Sequence, residues 1–202
     1  MRVTPREERV IRDRMRSFEP PPSASLRHML RAGTRAPHDA LDRAVGAIAD
    51  EASYRRYLRG LYAFRAPVEA ALERAAVPEG LADWRLVPLA PRLRADLDDL
   101  GEPAPRPDDC PETPGPSAAA GMLYVLEGAA IGANLLRVRA ARLGFDAGRG
   151  ARHLARPEEA GRWGAFVARL DAAAGIDPEA ALAGAQAAFA GAARAFAGAG
   201  AR

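Results

Sequence analysis

The sequence predicts an all-α protein folded as a single helical bundle. Apolar residues recur at intervals of three and four in most of the chain, which is the spacing of one helix face. Hydrophobic residues make up 49% of the 202 residues, and alanine, the residue that costs least in a helix, supplies much of that share. No segment alternates polar and apolar side chains as a half-buried strand would. These three observations favour helices without a sheet.

The start of the chain predicts a tail followed by two short helices. We expect residues 1–22, which end in three prolines, to be a tail or a loose helix, and residues 23–202 to form one domain. Apolar spacing from Leu26 predicts a first helix that breaks at Gly33. A second helix is expected to begin near Pro37, because proline suits the first helical turn.

The remaining helices follow from the same spacing. Tyrosines and leucines from residue 54 onward predict a long helix ending near Gly80, and the next helix ends at Gly101. Residues 102–117 contain six prolines and are expected to form a loop. The last predicted elements are the most apolar segment, residues 118–136, its basic continuation to Gly144, and two helices near 157–173 and 178–198.

Composition excludes several classes of function. The net charge is +3, and all 29 basic residues are arginines scattered among acids, so no basic stripe predicts a nucleic-acid surface. The apolar segments are interrupted by charges, so we expect no membrane span. The single cysteine, Cys110, has no partner for a disulfide within the chain, which favours a reducing cytoplasm. The three histidines have no metal-chelating spacing, which argues against structural zinc.

His38 is placed where one imidazole could bind a metal. It lies early in the predicted second helix, and Asp42 follows one turn later on the same face. A carboxylate there would orient the ring, as partners of ligating histidines commonly do. One neutral imidazole is enough to hold a heme iron. The alternative is an exposed histidine beside a solvated carboxylate, and the residues alone leave both interpretations open.

Gly128 and Gly132 stand four residues apart in the most apolar segment. Each glycine costs a helix about 1 kcal/mol relative to alanine. Such a pair makes sense where a flat ligand approaches the backbone closely, or where the helix bends. Tight packing between helices through small residues explains it equally well.

The order of four motifs resembles the bacterial heme oxygenases, especially those that supply biliverdin to bacteriophytochromes. The matching segments are His38 to Asp42, Tyr57 to Glu69, Arg94 to Gly101 and Leu123 to Gly132. The resemblance covers roughly residues 26–170 and implies a single-domain heme oxygenase-like helical bundle.

The resemblance also implies roles for individual residues. His38 would be the proximal iron ligand with Asp42 behind it, and Gly128 and Gly132 would lie against the distal face of the heme. Asn134 would add a polar group on that side. Further heme contacts are implied for Tyr124, for the propionate candidates Arg139, Arg31 and Arg35, and for Phe189 and Phe196. Most surface arginines are simply solvated, and core packing is the preferred explanation for the two phenylalanines.

Two positions depart from the mammalian members of the family. Those proteins carry an aspartate directly after the first distal glycine, where it orders water above the iron. Ala129 stands there in this sequence, and Ala130 follows where a polar residue is frequent. Bacterial members also lack the aspartate. The departure nevertheless keeps a non-catalytic heme-binding or heme-trafficking protein open as an alternative, together with a helical interaction module that binds no heme.

The resemblance implies a reaction and its partners. Heme would be both cofactor and substrate, O2 the co-substrate, and biliverdin, carbon monoxide and ferrous iron the products. A ferredoxin or flavoprotein reductase would supply electrons, for which the modest positive charge of the chain is suited. A phytochrome is the expected acceptor of the biliverdin.

Overall fold

Seven α-helices account for most of the described chain, which in this computed structural model comprises residues 25–106, 112–155 and 161–200. These residues contain no β-strand, only an isolated bridge between Asp146 and Gly150. The all-α prediction is confirmed. The expected tail of residues 1–22 and Cys110 lie outside the described residues. The helices are α1 (Leu26–Val45), α2 (Glu51–Arg74), α3 (Ala90–Asp99), α4 (Pro116–Gly128), α5 (Ala133–Arg142), α6 (Arg162–Ala172) and α7 (Pro178–Gly200), with 3-10 turns at Glu79–Leu81, Ala129–Gly132 and Arg152–Leu154.

The first helix is continuous, so the predicted break at Gly33 and the predicted new start at Pro37 are wrong. Helix α1 runs through both residues. Proline has no N–H and cannot donate to the carbonyl four residues earlier, which is that of Gly33. Gln186 Nε2 of α7 donates to this carbonyl at 3.2 Å instead. A side chain from a distant helix therefore stabilises what looks locally like a helix break.

Helix α2 begins with a capping box and ends earlier than predicted. Ser53 N–H donates to Asp50 Oδ1 at 2.8 Å, and Asp50 N–H donates to Ser53 Oγ at 3.0 Å. The helix ends at Arg74 rather than near Gly80. Pro78 disfavours a helical conformation in the residue before it, which explains why the helix does not continue.

Two clusters of buried apolar side chains form the core. The first cluster lies between α1, α4, α6, α7 and the second half of α2, and the second joins the first half of α2 to α3 and α5. Large members of the first are Leu30, Phe64, Leu123, Leu126, Phe166 and Leu170, and of the second Tyr54, Tyr57, Leu93, Leu97, Phe145 and Phe196.

The most apolar segment is two helices joined by a tighter turn, not the one continuous helix that its composition predicts. Helix α4 gives way to a 3-10 turn at Ala129–Gly132 before α5 begins. By length and composition alone, Pro116–Arg142 could also cross a membrane. Leu123 and Leu126 instead lie in the core, and Glu127 is buried in an ion pair. Those contacts are typical of a core helix.

Candidate active site

Helix α1 presents His38 on an exposed face. The His38 side chain is 59% exposed, and its Nδ1 lies 3.2 Å from Asp42 Oδ2, one turn later. Asp39 Oδ1 is farther from the same nitrogen, at 4.0 Å. The predicted pairing of histidine and carboxylate on one helix face is therefore present in the structure.

Phe189 of α7 closes the underside of the imidazole. The rings of His38 and Phe189 are 5.9 Å apart between centroids and meet edge to face, and Phe189 is 7% exposed. Phe196 lies two helical turns later in α7, but its ring packs near that of Tyr57 inside the second core cluster, with 6.4 Å between the ring centroids. Phe189 is thus placed beside the candidate ligand, whereas Phe196 is a core residue.

The 3-10 turn Ala129–Gly132 and the start of α5 form an unusually apolar surface. Ile131 is 66% exposed, Leu135 57% and Val138 43%. Apart from its own helix and chain neighbours, no described atom lies within 4 Å of the position that a Cβ of Gly132 would occupy, so the space beside this glycine is open. Exposed apolar side chains grouped in this way are typical of a surface that contacts a ligand or a partner.

Gly128 differs from Gly132 in its surroundings. A Cβ on Gly128 would lie 3.4 Å from the Trp163 ring of α6, an ordinary van der Waals distance. The Trp163 ring also contacts Tyr124, with centroids 5.3 Å apart. Helix packing therefore accounts for part of the need for a small residue at 128, whereas no described neighbour restricts the residue at 132.

The remaining predicted residues lie on helices α1, α4 and α5. Tyr124 is half-buried, and burial raises the pKa of its phenol, while the nearby positive charges of Arg31 and Arg27 lower it. Arg31 and Tyr124 are thus close across α1 and α4. Arg35 is exposed one turn after Arg31. On α5, Arg139 is half-buried, and Asn134 is exposed, with its Oδ1 accepting a hydrogen bond from Arg137 at 3.0 Å.

Sequence reasoning missed a buried polar cluster directly behind the 3-10 turn. Glu127 is 4% exposed, and its carboxylate accepts hydrogen bonds from Trp84 Nε1 at 2.8 Å and from Arg162 Nε at 3.0 Å. Arg162 also stacks on the Trp84 ring at 4.3 Å. The one signal in the sequence is a charged residue inside the most apolar segment, which is uncommon unless it is paired.

A second polar network is buried below α5. Asp96 is fully buried and accepts hydrogen bonds from His153 Nδ1 at 2.7 Å and from the backbone amides of Arg152 and His153. The other ring nitrogen of His153 is 3.2 Å from the Tyr57 hydroxyl. This network ties the loop after α5 to α2 and α3. His153 is 1% exposed and has a structural role in this network.

Two comparisons with known proteins agree with this arrangement. The chain is 37% identical over 151 aligned positions to heme oxygenase PigA of Pseudomonas aeruginosa, an alignment that covers 68% of this chain and 73% of that relative. The chain belongs to the heme oxygenase family. No protein-family model matches it.

A solved heme oxygenase has the same fold. The structure of the NO- and CO-bound heme oxygenase from Neisseria meningitidis superposes with a TM-score of 0.74 and 26% sequence identity, covering 88% of this chain and 92% of that one. Membership of the heme oxygenase family and the helical-bundle fold, both predicted from the sequence, are confirmed. Assignment to the subgroup that supplies phytochromes stays a prediction.

The described residues fit a heme of this family. The exposed imidazole of His38 has the Asp42 carboxylate beside its Nδ1, and the Phe189 ring packs against it. A separate segment leaves open space beside Gly132. Among the described residues no group of three or more histidine, cysteine or acidic side chains could hold a separate metal ion. A single imidazole such as that of His38 is the kind of ligand that suits an iron bringing its own four nitrogens.

Proposed function

We propose that this chain is a heme oxygenase that holds heme through His38 and converts it, with O2 and reducing equivalents, to biliverdin, carbon monoxide and ferrous iron. The observation that carries the proposal is the His38–Asp42 pair in a member of the heme oxygenase family. The heme supplies the oxygen-binding iron and the oxidisable ring, and the protein supplies binding, orientation and a shaped pocket.

The His38–Asp42 contact determines which ring nitrogen would bind iron. His38 Nδ1 lies 3.2 Å from Asp42 Oδ2, and a carboxylate is an acceptor only, so we propose that in the heme-bound protein the imidazole donates its Nδ1–H to Asp42. Nε2 then carries the lone pair and is free to ligate. The carboxylate would also make Nε2 a more basic ligand for the iron and limit rotation of the ring. Asp42 is thus the expected positioning partner of the iron ligand.

The opposite side of the heme is assigned to the turn Ala129–Gly132 and the start of α5. Small residues at 129, 130 and 132 leave room for a diatomic ligand, and Ile131 and Leu135 offer apolar surface to the ring. Gly128 belongs to the same segment, at the end of α4. Asn134, an exposed amide on α5, is proposed to add a polar group at the rim.

Arginines on two helices are proposed to bind the heme propionates. Arg31 and Arg35 lie one turn apart on α1, the helix that carries His38, and Arg139 lies in the last turn of α5. Guanidinium matches carboxylate geometry with two parallel hydrogen bonds. Tyr124, whose phenol pKa is raised by burial, is near enough to Arg31 to feel its positive charge, and it is proposed to contact the heme edge.

An electron donor and a bilin acceptor complete the proposed reaction. A ferredoxin or a flavoprotein reductase suits a chain of net charge +3, because acidic redox proteins are steered to positive surfaces. We place the reaction in the cytoplasm, which a single cysteine favours, and a phytochrome is the proposed acceptor of biliverdin.

Hemin titration tests the heme site, with His28 as the matched control. His28 is also exposed and also lies on α1, but its Nδ1 forms a hydrogen bond with Ser25 Oγ at 2.9 Å. We expect a sharp Soret band in the wild type and in His28→Ala, and its loss or broadening in His38→Ala. An unchanged Soret band in His38→Ala would remove His38 as the ligand.

Turnover then separates an oxygenase from a heme carrier. The hemin complex is given a reductant and O2 while the absorption spectrum and carbon monoxide are followed. A red-absorbing bilin with released carbon monoxide supports the proposed reaction. A stable oxy or ferric spectrum would instead identify a heme-binding protein without turnover.

A further inference from the structure

The buried carboxylate of Glu127 accepts three hydrogen bonds from two side chains. Trp84 Nε1 and Arg162 Nη2 both donate to Oε1 at 2.8 Å, and Arg162 Nε donates to Oε2 at 3.0 Å. Arg162 also donates to the carbonyl of Arg85. We call Glu127, Trp84 and Arg162 the Glu127 clasp. It joins the end of α4 to the start of α6 and to the segment before α3.

The clasp lies where the helix changes its hydrogen bonding. Helix α4 ends at Gly128, directly after Glu127, and the 3-10 turn Ala129–Gly132 follows. A 3-10 stretch within a longer helix often marks a hinge, because its hydrogen bonds are poorer in geometry. Apart from its own helix and chain neighbours, no described atom lies within 4 Å of a Cβ built on Gly132, and Ala129, Ile131 and Gly132 are exposed.

Two further contacts support the same end of α4. Arg65 Nη1 of α2 lies 3.4 Å from the carbonyl of Leu126, while its Nε is paired with Glu69 at 2.6 Å. Trp163, adjacent to Arg162, packs against Gly128 at 3.4 Å from the position of a Cβ. The residues just before the turn are therefore fixed by buried polar and aromatic partners, whereas most of the turn itself is exposed.

Stability alone does not explain a buried ion pair at this place. Replacing a buried pair by apolar residues of similar volume is often neutral or stabilising, because desolvation offsets the attraction between the charges. What such a pair does provide is geometry, since a guanidinium that donates twice to one carboxylate restricts both orientation and distance. The Glu127 clasp is therefore suited to fixing the position of the end of α4.

We propose that Glu127, Arg162 and Trp84 are positioning residues that set the height of the Ala129–Gly132 turn over the heme and thereby select the meso carbon at which the ring opens. The inference rests on the proposed function, because it places the macrocycle beside this turn. None of the three residues needs to touch the heme. They act through the backbone of Gly128, which continues directly into the turn.

The test compares Glu127→Gln with Glu102→Gln. The substitution at 127 keeps the shape of the side chain but removes its charge. Glu102 provides a matched control, because its carboxylate also accepts from two side chains, Arg55 at 3.0 Å and Arg59 at 2.9 Å, on other helices than the clasp. Two readouts are taken, namely amide hydrogen exchange over residues 126–134 of the heme-free protein and the ratio of biliverdin isomers after turnover.

We expect Glu127→Gln to exchange amide hydrogens in the turn about tenfold faster than the wild type, as loss of a hydrogen bond to a charged group allows. The biliverdin isomer ratio should shift, while hemin still binds. Glu102→Gln should change neither readout. An unchanged isomer ratio in Glu127→Gln, with bilin still formed, would overturn the inference.

A second variant guards against misfolding. Arg162→Lys keeps the positive charge but loses the double donation, and it should show the same shift in isomer ratio to a smaller degree. If the wild type forms no bilin, the proposed function fails, and the clasp is judged on hydrogen exchange alone. Equal exchange in the wild type and both variants then overturns the claim that the clasp fixes the turn, and faster exchange in the variants supports that claim, while selection of the meso carbon fails together with the proposed function.

Discussion

Gln186 of α7 supplies to Gly33 of α1 the hydrogen bond that Pro37 cannot make. Gln186 Nε2 lies 3.2 Å from the Gly33 carbonyl, which is the acceptor that an N–H at position 37 would reach in an uninterrupted helix. Close packing accompanies the bond, because a Cβ on Gly33 would lie 2.6 Å from Leu182 of α7. The residue after Pro37 is His38, so this contact helps to fix the part of the helix that carries the candidate iron ligand.

A double-mutant cycle tests whether Gln186 compensates for Pro37. Gln186→Ala should lower the free energy of unfolding by about 1 kcal/mol, the usual value of one hydrogen bond. In a Pro37→Ala background the new N–H satisfies the Gly33 carbonyl, so the same substitution should cost much less. Urea denaturation of the four proteins measures both effects. Equal costs in the two backgrounds would show that the hydrogen bond does not compensate for the proline.

The α1 helix also shows what sequence reasoning could and could not supply. Apolar spacing predicted helices on both sides of Pro37, and the Asp42 position correctly placed a carboxylate beside His38. The continuity of the helix depends on Gln186, 153 residues away from Gly33, and no local pattern contains that partner. The local sequence predicted a break at Gly33 and Pro37, because local preferences take no account of contacts with distant parts of the chain.

The same limit applies to the distal segment. A pair of glycines four residues apart is visible in the sequence, but their neighbours are not: one faces Trp163 and the other open space. The buried network of Asp96 and His153 was missed for a related reason. Its members come from α3 and from a loop 57 residues later, and each alone resembles an ordinary surface residue.

A bulky residue at position 132 should separate folding from turnover. Gly132→Leu meets no described atom within 4 Å of its Cβ, so the melting temperature of the heme-free protein should stay the same or rise. Under the proposed function the side chain enters the space for O2, and bilin formation should fall by about tenfold or more. Gly164→Leu on α6, also in open space, is the control. Normal turnover by Gly132→Leu would show that this face is not the distal one.

The Asp96 network should make stability depend on pH. Burial by itself raises the pKa of the Asp96 carboxyl, but the hydrogen bonds and charge of His153, with the amides of Arg152 and His153, outweigh burial and lower that pKa. A carboxyl whose pKa is lower in the folded state stabilises the protein above its unfolded pKa of about 3.9. That stabilisation is lost as the pH falls through the folded value.

Asp96→Asn tests this dependence against Asp98→Asn. Removing the buried charge leaves its partners unmatched, so Asp96→Asn should lose about 3 kcal/mol at pH 7. The loss should shrink as the pH falls below about 4, because protonation of Asp96 then stabilises the unfolded wild type relative to the folded one. Asp98, 58% exposed and paired with Arg94 in its own helix, should change stability little. Unfolding free energies measured from neutral pH down to about pH 3 give both curves, and a constant difference between wild type and Asp96→Asn would contradict the assignment.

Helices α4 and α7 approach so closely that single methyl groups should be decisive. A Cβ on Gly184 would lie 2.1 Å from the carbonyl oxygen of Ala118, and one on Gly121 would lie 1.8 Å from that of Ala181. Backbone cannot yield as a flexible side chain does, so Gly184→Ala should destabilise the protein by about 3 kcal/mol or more. Gly198 lies in the same helix with no described atom within 4 Å of its Cβ position, and Gly198→Ala should stabilise the protein by about 0.5–1 kcal/mol through the helix preference of alanine. Thermal and urea denaturation should therefore show opposite signs for one chemical change at two positions of α7. If Gly184→Ala were neutral, the two helices would lie farther apart than the structure places them, and the first core cluster would have to be packed differently.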